Sequence, residues 1–177
     1  MKEKQELQRL QDLGIIKKVT EPTPWVSSLV TVHKPNGQLR VCIDPKDLNR
    51  VLRRSHYPTP IIDDILPELV RAKVFSTVDV KNGFWHVELD DESSRLTTFN
   101  SPFGRFGWCR LPFGVSSAPE EFQRRLNYAL EGLKGIRLIH DDILIFGEGA
   151  TEEQALEDHD KNLDTLMQKC RQQREAE

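Results

Sequence analysis

The chain has 177 residues, of which 37% are hydrophobic and 30% charged, with a formal net charge of -3. That length suits about one domain with a sizeable core, and the apolar runs recurring from Trp25 to Phe146 exclude disorder throughout. No run is apolar for long enough to span a membrane, and Cys42, Cys109 and Cys170 have the spacing of neither a zinc site nor a disulfide framework.

The expected location is therefore intracellular, cytoplasmic or nuclear, with no membrane partner. Met1-Lys2-Glu3-Lys4-Gln5 carries no apolar signal region, so the chain reads as an intracellular product or a piece of a longer one. Charge is unevenly distributed. Residues 1–58 carry eleven Lys/Arg and six Asp/Glu, whereas residues 111–177 carry eight and fourteen. A basic front and an acidic back suit phosphates at one region and metal ions at another, although solvated surface charge accounts for most of these residues singly.

In chain order, residues 3–13 predict a helix with Leu7, Leu10 and Leu13 on one face and Gly14 as its stop. Residues 28–34 and 38–44 predict a hairpin through Pro35-Asn36-Gly37. A two-residue Asn-Gly turn would pair Lys34 with Leu39, His33 with Arg40 and Val32 with Val41. Val30, Val32, Val41 and Ile43 would then face the core, with Arg40, Cys42 and Asp44 on the other face beside Thr31 and His33.

Thr59-Pro60 opens a predicted helix with Ile61, Ile62, Ile65, Leu66 and Leu69 at helical spacing. Strands are expected around residues 74–80 and 85–89, and further strands with tight turns over 95–113. A helix over 116–133 would turn Phe122, Leu126, Ala129 and Leu130 inward. A hairpin over 136–147 and a last helix from Thr151 to about Lys169, with Leu156, Leu163 and Leu166 inward, complete an α+β order.

Asp141-Asp142 stands at the crest of the second hairpin, where adjacent carboxylates repel unless a cation sits there. Asp79 ends the apolar run Val74–Val80. Three acids on adjoining strands can hold two divalent cations for phosphoryl or nucleotidyl transfer. Asp63-Asp64-Ile65-Leu66 repeats Asp141-Asp142-Ile143-Leu144, but there the acids fall in a helical first turn, which the macrodipole favours.

Several ordered blocks resemble the reverse transcriptases of gypsy-type LTR retrotransposons and, more distantly, of retroviruses. They are Leu13-Gly14-Ile15-Ile16 with Pro24-Trp25-Val26-Ser27-Ser28, and Lys34-Pro35-Asn36-Gly37 with Arg40-Val41-Cys42-Ile43-Asp44 and Leu48-Asn49. Phe75–Val80 with Gly83-Phe84 follows, then Leu111-Pro112-Phe113-Gly114-Val115 with Ala118-Pro119 and Phe122-Gln123. Ile139-His140-Asp141-Asp142 occupies the place of the family's Tyr-x-Asp-Asp motif.

The resemblance implies the right-handed polymerase fold, an α+β fold whose palm is a small antiparallel sheet backed by helices. Residues 1–54 and 87–117 would be fingers, 55–86 and 118–172 palm, and 173–177 a frayed tail. The thumb, connection and RNase H regions of the pol polyprotein would be missing from this chain.

By resemblance the function is RNA-directed DNA polymerase, a magnesium-dependent nucleotidyltransferase extending a primer with dNTPs on an RNA or DNA template. Two Mg²⁺ ions, with Mn²⁺ as the alternative, would be held by Asp79, Asp141 and Asp142 as catalytic and metal-binding residues. Lys34, Arg40, Val80, Phe84, Phe113 and Gly114 would form the nucleotide site. Arg40 would grip the triphosphate, with His33 competing for the place of Lys34. Phe84 would crowd the sugar 2′ position, although a bare phenylalanine there would read as core. Ile139, in place of the family's tyrosine, and His140 would neighbour the primer end. Phe103, Phe106 and Trp108 suit either stacking on template bases or packing within the fingers, the latter being favoured. The alternative is a catalytically weak or inactive retroelement fragment that binds nucleic acid or protein.

Overall fold

The computed structural model describes residues 2–33, 35, 37–53, 57, 62–139 and 142–175. The chain forms two interleaved compact units. The first comprises Met1–His56 and Asn82–Phe122, the second Tyr57–Lys81 and Gln123–Glu177.

The first unit opens with α1 (Lys2–Asp12), which buries Leu7 and Leu10. Leu13 is exposed, because the helix ends before it and Gly14 turns the chain at φ +68°. The Gly14 and Ile15 amides donate back to the carbonyls of Gln11 and Leu10, satisfying the helix end. A strand not anticipated from sequence, β1 (Ile16–Lys18), follows. It joins β2 (Ser27–His33), β3 (Leu39–Asp44), β5 (Phe99–Ser101) and β6 (Gly104–Trp108) in a sheet ordered β1-β6-β5-β2-β3. All of its pairs are antiparallel except β2 with β5.

The β2–β3 hairpin is present, but its register differs by one residue from the expected one. His33 pairs with Leu39, Val32 with Arg40 and Thr31 with Val41. The connection is thus residues 34–38, of which Lys34 and Asn36 lie outside the described residues. Because strand side chains alternate, one step of slip exchanges the faces of β2. Leu29 and Thr31 sit inward with buried Val41 and Ile43, while Val30 and Val32 are exposed on the Arg40 face.

β3 leads into α2 (Lys46–Val51), which buries Leu48. The expected strand over 85–89 is instead a 3₁₀ turn, Gly83–His86, followed by a single bridge between Glu88 and Arg110. The stretch expected to hold strands and tight turns from residue 95 is preceded and entered by α4 (Asp91–Leu96), whose N-cap Asp90 accepts from the Ser93 amide at 2.7 Å. An acid before Asp91-Glu92 was the available signal.

The Ser93 amide holds the Asp90 carboxyl below the usual aspartate range. This lowered folded value means the cap contributes above the unfolded pKa and is lost as pH falls through the folded one. An NMR titration of the Ser93 amide should show a midpoint below about 3.9, and Asp90→Ala should remove that transition. A midpoint at or above the ordinary value would contradict the cap. In the same unit, Phe106 and Trp108 are buried around Phe99, with Phe99–Phe106 and Phe99–Trp108 centroids each 5.8 Å apart. They are core, whereas Phe103 is exposed.

The second unit is built on the antiparallel sheet β4-β8-β7, formed by β4 (Ala72–Asp79), β7 (Ile136–Ile139) and β8 (Asp142–Glu148). Central β8 is buried on both faces. Ile143 and Ile145 join Ile136, Leu138 and Leu166, with Leu126, Leu130 and Leu163 packed around them. Leu144 and Phe146 join Ile65 on the opposite face, with Leu69 beside them. Ile65 ends α3 (Ile62–Ile65), where Asp63 and Asp64 lie in the first turn as expected. Pro67 then converts the run to a 3₁₀ segment, Leu66–Arg71, so the anticipated single helix is short and broken. Thr59, Pro60 and Ile61 lie outside the described residues.

Two helices back this sheet, α5 (Ala118–Leu130), whose first residues belong to the other unit, and α6 (Glu152–Glu175). The buried stripe of α6 is Ala155, His159, Asn162 and Leu166, with Leu163 packed beside Leu166, so two of the three expected leucines face the core. Leu156 is exposed, because α6 meets β8 through small and polar groups. Asn162 Nδ2 donates to the Phe146 carbonyl at 2.9 Å, and Asp158 accepts from the Glu148 amide at 3.0 Å. His159 Nε2 lies 2.9 Å from Ser76 Oγ on β4. Among the described residues, no helix is long and apolar enough to cross a membrane.

Candidate active site

In the second unit, the ladder sets Asp142 directly opposite Asp79 across β4–β8 and opposite Ile139 across β7–β8. The alternating pattern of β4 buries Val74, Ser76 and Val78 partly and leaves Asp79 exposed; Asp142, at the exposed start of β8, is exposed too. Like charges placed opposite each other in a sheet are destabilising. Yet among the described residues no basic side chain pairs with Asp79 or Asp142. His140 and Asp141 lie outside the described residues. Among those described, no group of three His, Cys, Asp or Glu side chains converges to hold a metal.

The two opposed carboxylates offer oxygen donors only, face solvent and have no counter-charge among the described residues. That donor set fits a hard divalent cation such as Mg²⁺ and lacks the nitrogen or sulfur that zinc prefers. Around them, Val80 packs on the Ile136–Leu138–Ile143 cluster and Ile139 on the Ile65–Leu144–Phe146 cluster. Both side chains hold strand ends against core.

In the first unit, four aromatic and cationic side chains come together. The Arg40 guanidinium sits 4.7 Å from the Phe113 ring centroid. Phe113 leans on Phe84, centroids 4.8 Å apart at 32°, and Phe84 meets Phe122 edge-on at 5.5 Å. Gly83 is needed there, since a Cβ would stand 2.5 Å from the Phe122 ring. The stack holds the Arg40 head on an aromatic face, an attraction of about 0.5–2 kcal/mol. Beside it, burial pushes the Cys42 thiol up, with Arg40 opposing, so Cys42 is a poor nucleophile. Asp44 forms an ion pair with Lys46 at 3.2 Å. His33 is exposed at the hairpin end, and Lys34 lies outside the described residues.

Gly114 follows Phe113 at φ +112°, a conformation that disfavours any side chain. A Cβ there would also overlap the Ile43 carbonyl oxygen. The Ile43 amide donates to the Phe113 carbonyl at 3.1 Å. Asn49 Nδ2 donates to the Gly114 carbonyl at 2.9 Å, while its Oδ1 accepts from the Ser116 amide at 2.9 Å. Sequence reading assigned Asn49 no role. Its partners are far along the chain, so no local pattern announces them.

A family model described as reverse transcriptase (RNA-dependent DNA polymerase) matches residues 32–175. The chain belongs to the reverse transcriptase family. Among relatives of this reverse transcriptase chain, the retrovirus-related Pol polyprotein from transposon 412 of Drosophila melanogaster is 37% identical over 88% of the chain and 13% of its own length. The enzymatic polyprotein of cauliflower mosaic virus (strain D/H) is 34% identical over 94% of the chain and 24% of its own length. The reverse transcriptase chain therefore spans a quarter or less of these relatives.

A foamy viral protease-reverse transcriptase in complex with dsDNA superposes with a TM-score of 0.79 at 27% identity, covering 95% of this chain and 34% of that one. The same type of protein in complex with an RNA/DNA hybrid gives 0.75 at 26% identity, covering 94% and 21%. The reverse transcriptase fold of this chain is accordingly the fingers-and-palm α+β architecture.

Proposed function

We propose that this chain is the nucleotidyl-transfer region of an RNA-directed DNA polymerase, adding dNTPs to a primer on an RNA or DNA template. One observation carries the reading. The fold places Asp79 and Asp142 opposite each other without a described counter-charge, and Asp141 is covalently next to Asp142. Such repulsion is offset where a cation binds between the carboxylates. The nucleic-acid complexes of the foamy viral relatives support a primer–template as partner. The first unit is read as fingers and the second as palm.

Asp79, Asp141 and Asp142 would hold two Mg²⁺ ions. When bound, such a pair supplies a lowered pKa at the primer hydroxyl and neutralises charge on the phosphates. The remaining work falls to this chain. Arg40 offers a guanidinium, held in orientation by Phe113, to the triphosphate oxygens. Phe84, fixed between Phe113 and Phe122, presents a rigid edge to the nucleotide sugar and excludes a 2′-hydroxyl.

The test is primer extension on poly(rA)–oligo(dT) with Mg²⁺ and dTTP, with Asp141→Asn as control. Extension lost in the variant supports the reading. No extension from a folded protein counts against a self-sufficient polymerase and favours a binding fragment. A further outcome follows from the aromatic stack. Phe84→Val should raise ribonucleotide use relative to deoxynucleotide by at least about tenfold, equivalent to roughly 1.4 kcal/mol. Competition between UTP and dTTP measures it, and an unchanged ratio would remove Phe84 from sugar selection.

A further inference from the structure

The turn after Phe113 is tied down by the end of β3 and by α2. Ile43 holds the Phe113 carbonyl, and Asn49 holds both Gly114 and Ser116. A short planar amide is suited to this, because it offers one donor and one acceptor in a single rigid plane. Aspartate keeps the acceptor for Ser116 and loses the donor for Gly114; alanine loses both. Gly114 permits the close approach, so the backbone that carries Phe113 lies against Ile43. The Phe113 ring is in turn the surface on which Arg40 rests. The Asn49 side chain bonds to backbone atoms of the turn, and so sets the backbone from which that pair is built.

We infer that Asn49 is a positioning residue for the incoming nucleoside triphosphate. It clamps the Phe113–Ser116 turn, and through Phe113 it fixes the Arg40 guanidinium for triphosphate binding. This rests on the nucleotide-binding reading of Arg40, Phe113 and Gly114. Its signature is a split: nucleotide affinity falls while the chemical step is spared.

The experiment measures Mg²⁺–dTTP binding, dTTP KM and kcat in primer extension, and amide exchange at Ser116, for wild type, Asn49→Ala and Asn49→Asp. Asn49→Ala should weaken dTTP binding and raise KM about tenfold, the effect of one to two lost hydrogen bonds, with kcat changed by less than about threefold. Ser116 should lose exchange protection in Asn49→Ala and keep it in Asn49→Asp, whose affinity should fall between the other two.

A fall in kcat with KM unchanged, or wild-type dTTP affinity in Asn49→Ala, overturns the inference and leaves the polymerase reading standing. If wild type binds dTTP without extending a primer, the catalytic reading fails and the binding comparison still decides the role of Asn49. If wild type binds no dTTP, both fall. Should Asn49→Ala fail to unfold cooperatively, Asn49→Asp carries the same binding comparison.

Discussion

Asp142→Asn should abolish primer extension, by about a thousandfold or more, and at the same time stabilise the metal-free protein. The first effect follows from removing a carboxylate expected to help hold cations worth several kcal/mol of transition-state charge stabilisation, at about 1.4 kcal/mol per factor of ten. The second follows from the ladder, where Asp142 lies opposite Asp79. Replacing one of two opposed anions with a neutral amide of similar shape should gain about 0.2–1 kcal/mol. Urea unfolding in EDTA and in Mg²⁺ reads both. Wild type should be stabilised by Mg²⁺ through its preference for the folded state, and the variant much less. A variant that extends primers at wild-type rate, or that loses stability in EDTA, would refute the idea that this pair is retained for cations.

Gly147→Ala should unfold the second unit at a much lower temperature. Gly147 lies in β8 where α6 crosses closest. A Cβ there would overlap the Ala155 carbonyl oxygen and stand 2.5 Å from the His159 nitrogen, both backbone atoms that no rotamer change can move. Relief requires shifting α6 off the sheet. That breaks the Asn162–Phe146 and Asp158–Glu148 bonds and loosens Leu166.

Overpacking of this kind costs about 3 kcal/mol or more, which for a chain of this size lowers Tm by roughly 6–12 °C. Gly132→Ala is the control. Gly132, unlike Gly147, has positive φ, +80°, and nothing lies within 4 Å of its Cβ position. It should show only the local backbone penalty, about 1 kcal/mol. Equal losses in the two variants, followed by thermal circular dichroism, would refute the close-approach argument.

The difference between Gly147 and Gly132 shows where sequence reading runs out. Neither glycine's neighbours in sequence announce whether its Cβ position is free; the helix over Gly147 decides that. The same holds for the β2–β3 hairpin. Pro35-Asn36-Gly37 announced a turn, but not its length, and one residue of register decides which face Val30 and Val32 occupy. For α6, the periodicity of its leucines suggested a stripe through Leu156, whereas docking placed His159 and Asn162 in it. A missed helix such as α4 was legible in principle, because Asp90, Asp91 and Glu92 form a local cap signal.

The sequence by itself determined what chemistry is local. It marked acids at strand ends where no helix dipole explains them, an apolar run over Val74–Val80 ended by Asp79, and the ordered motif blocks that gave the family. The tertiary structure alone decided what depends on partners distant along the chain. It put Asp142 opposite Asp79, set Arg40 on Phe113 and Phe113 against Phe84, and brought Asn49 to Gly114 and Ser116. The reason is physical. Propensity and periodicity are properties of neighbours in sequence, whereas ladder register and side-chain pairing are set by which surfaces bury one another.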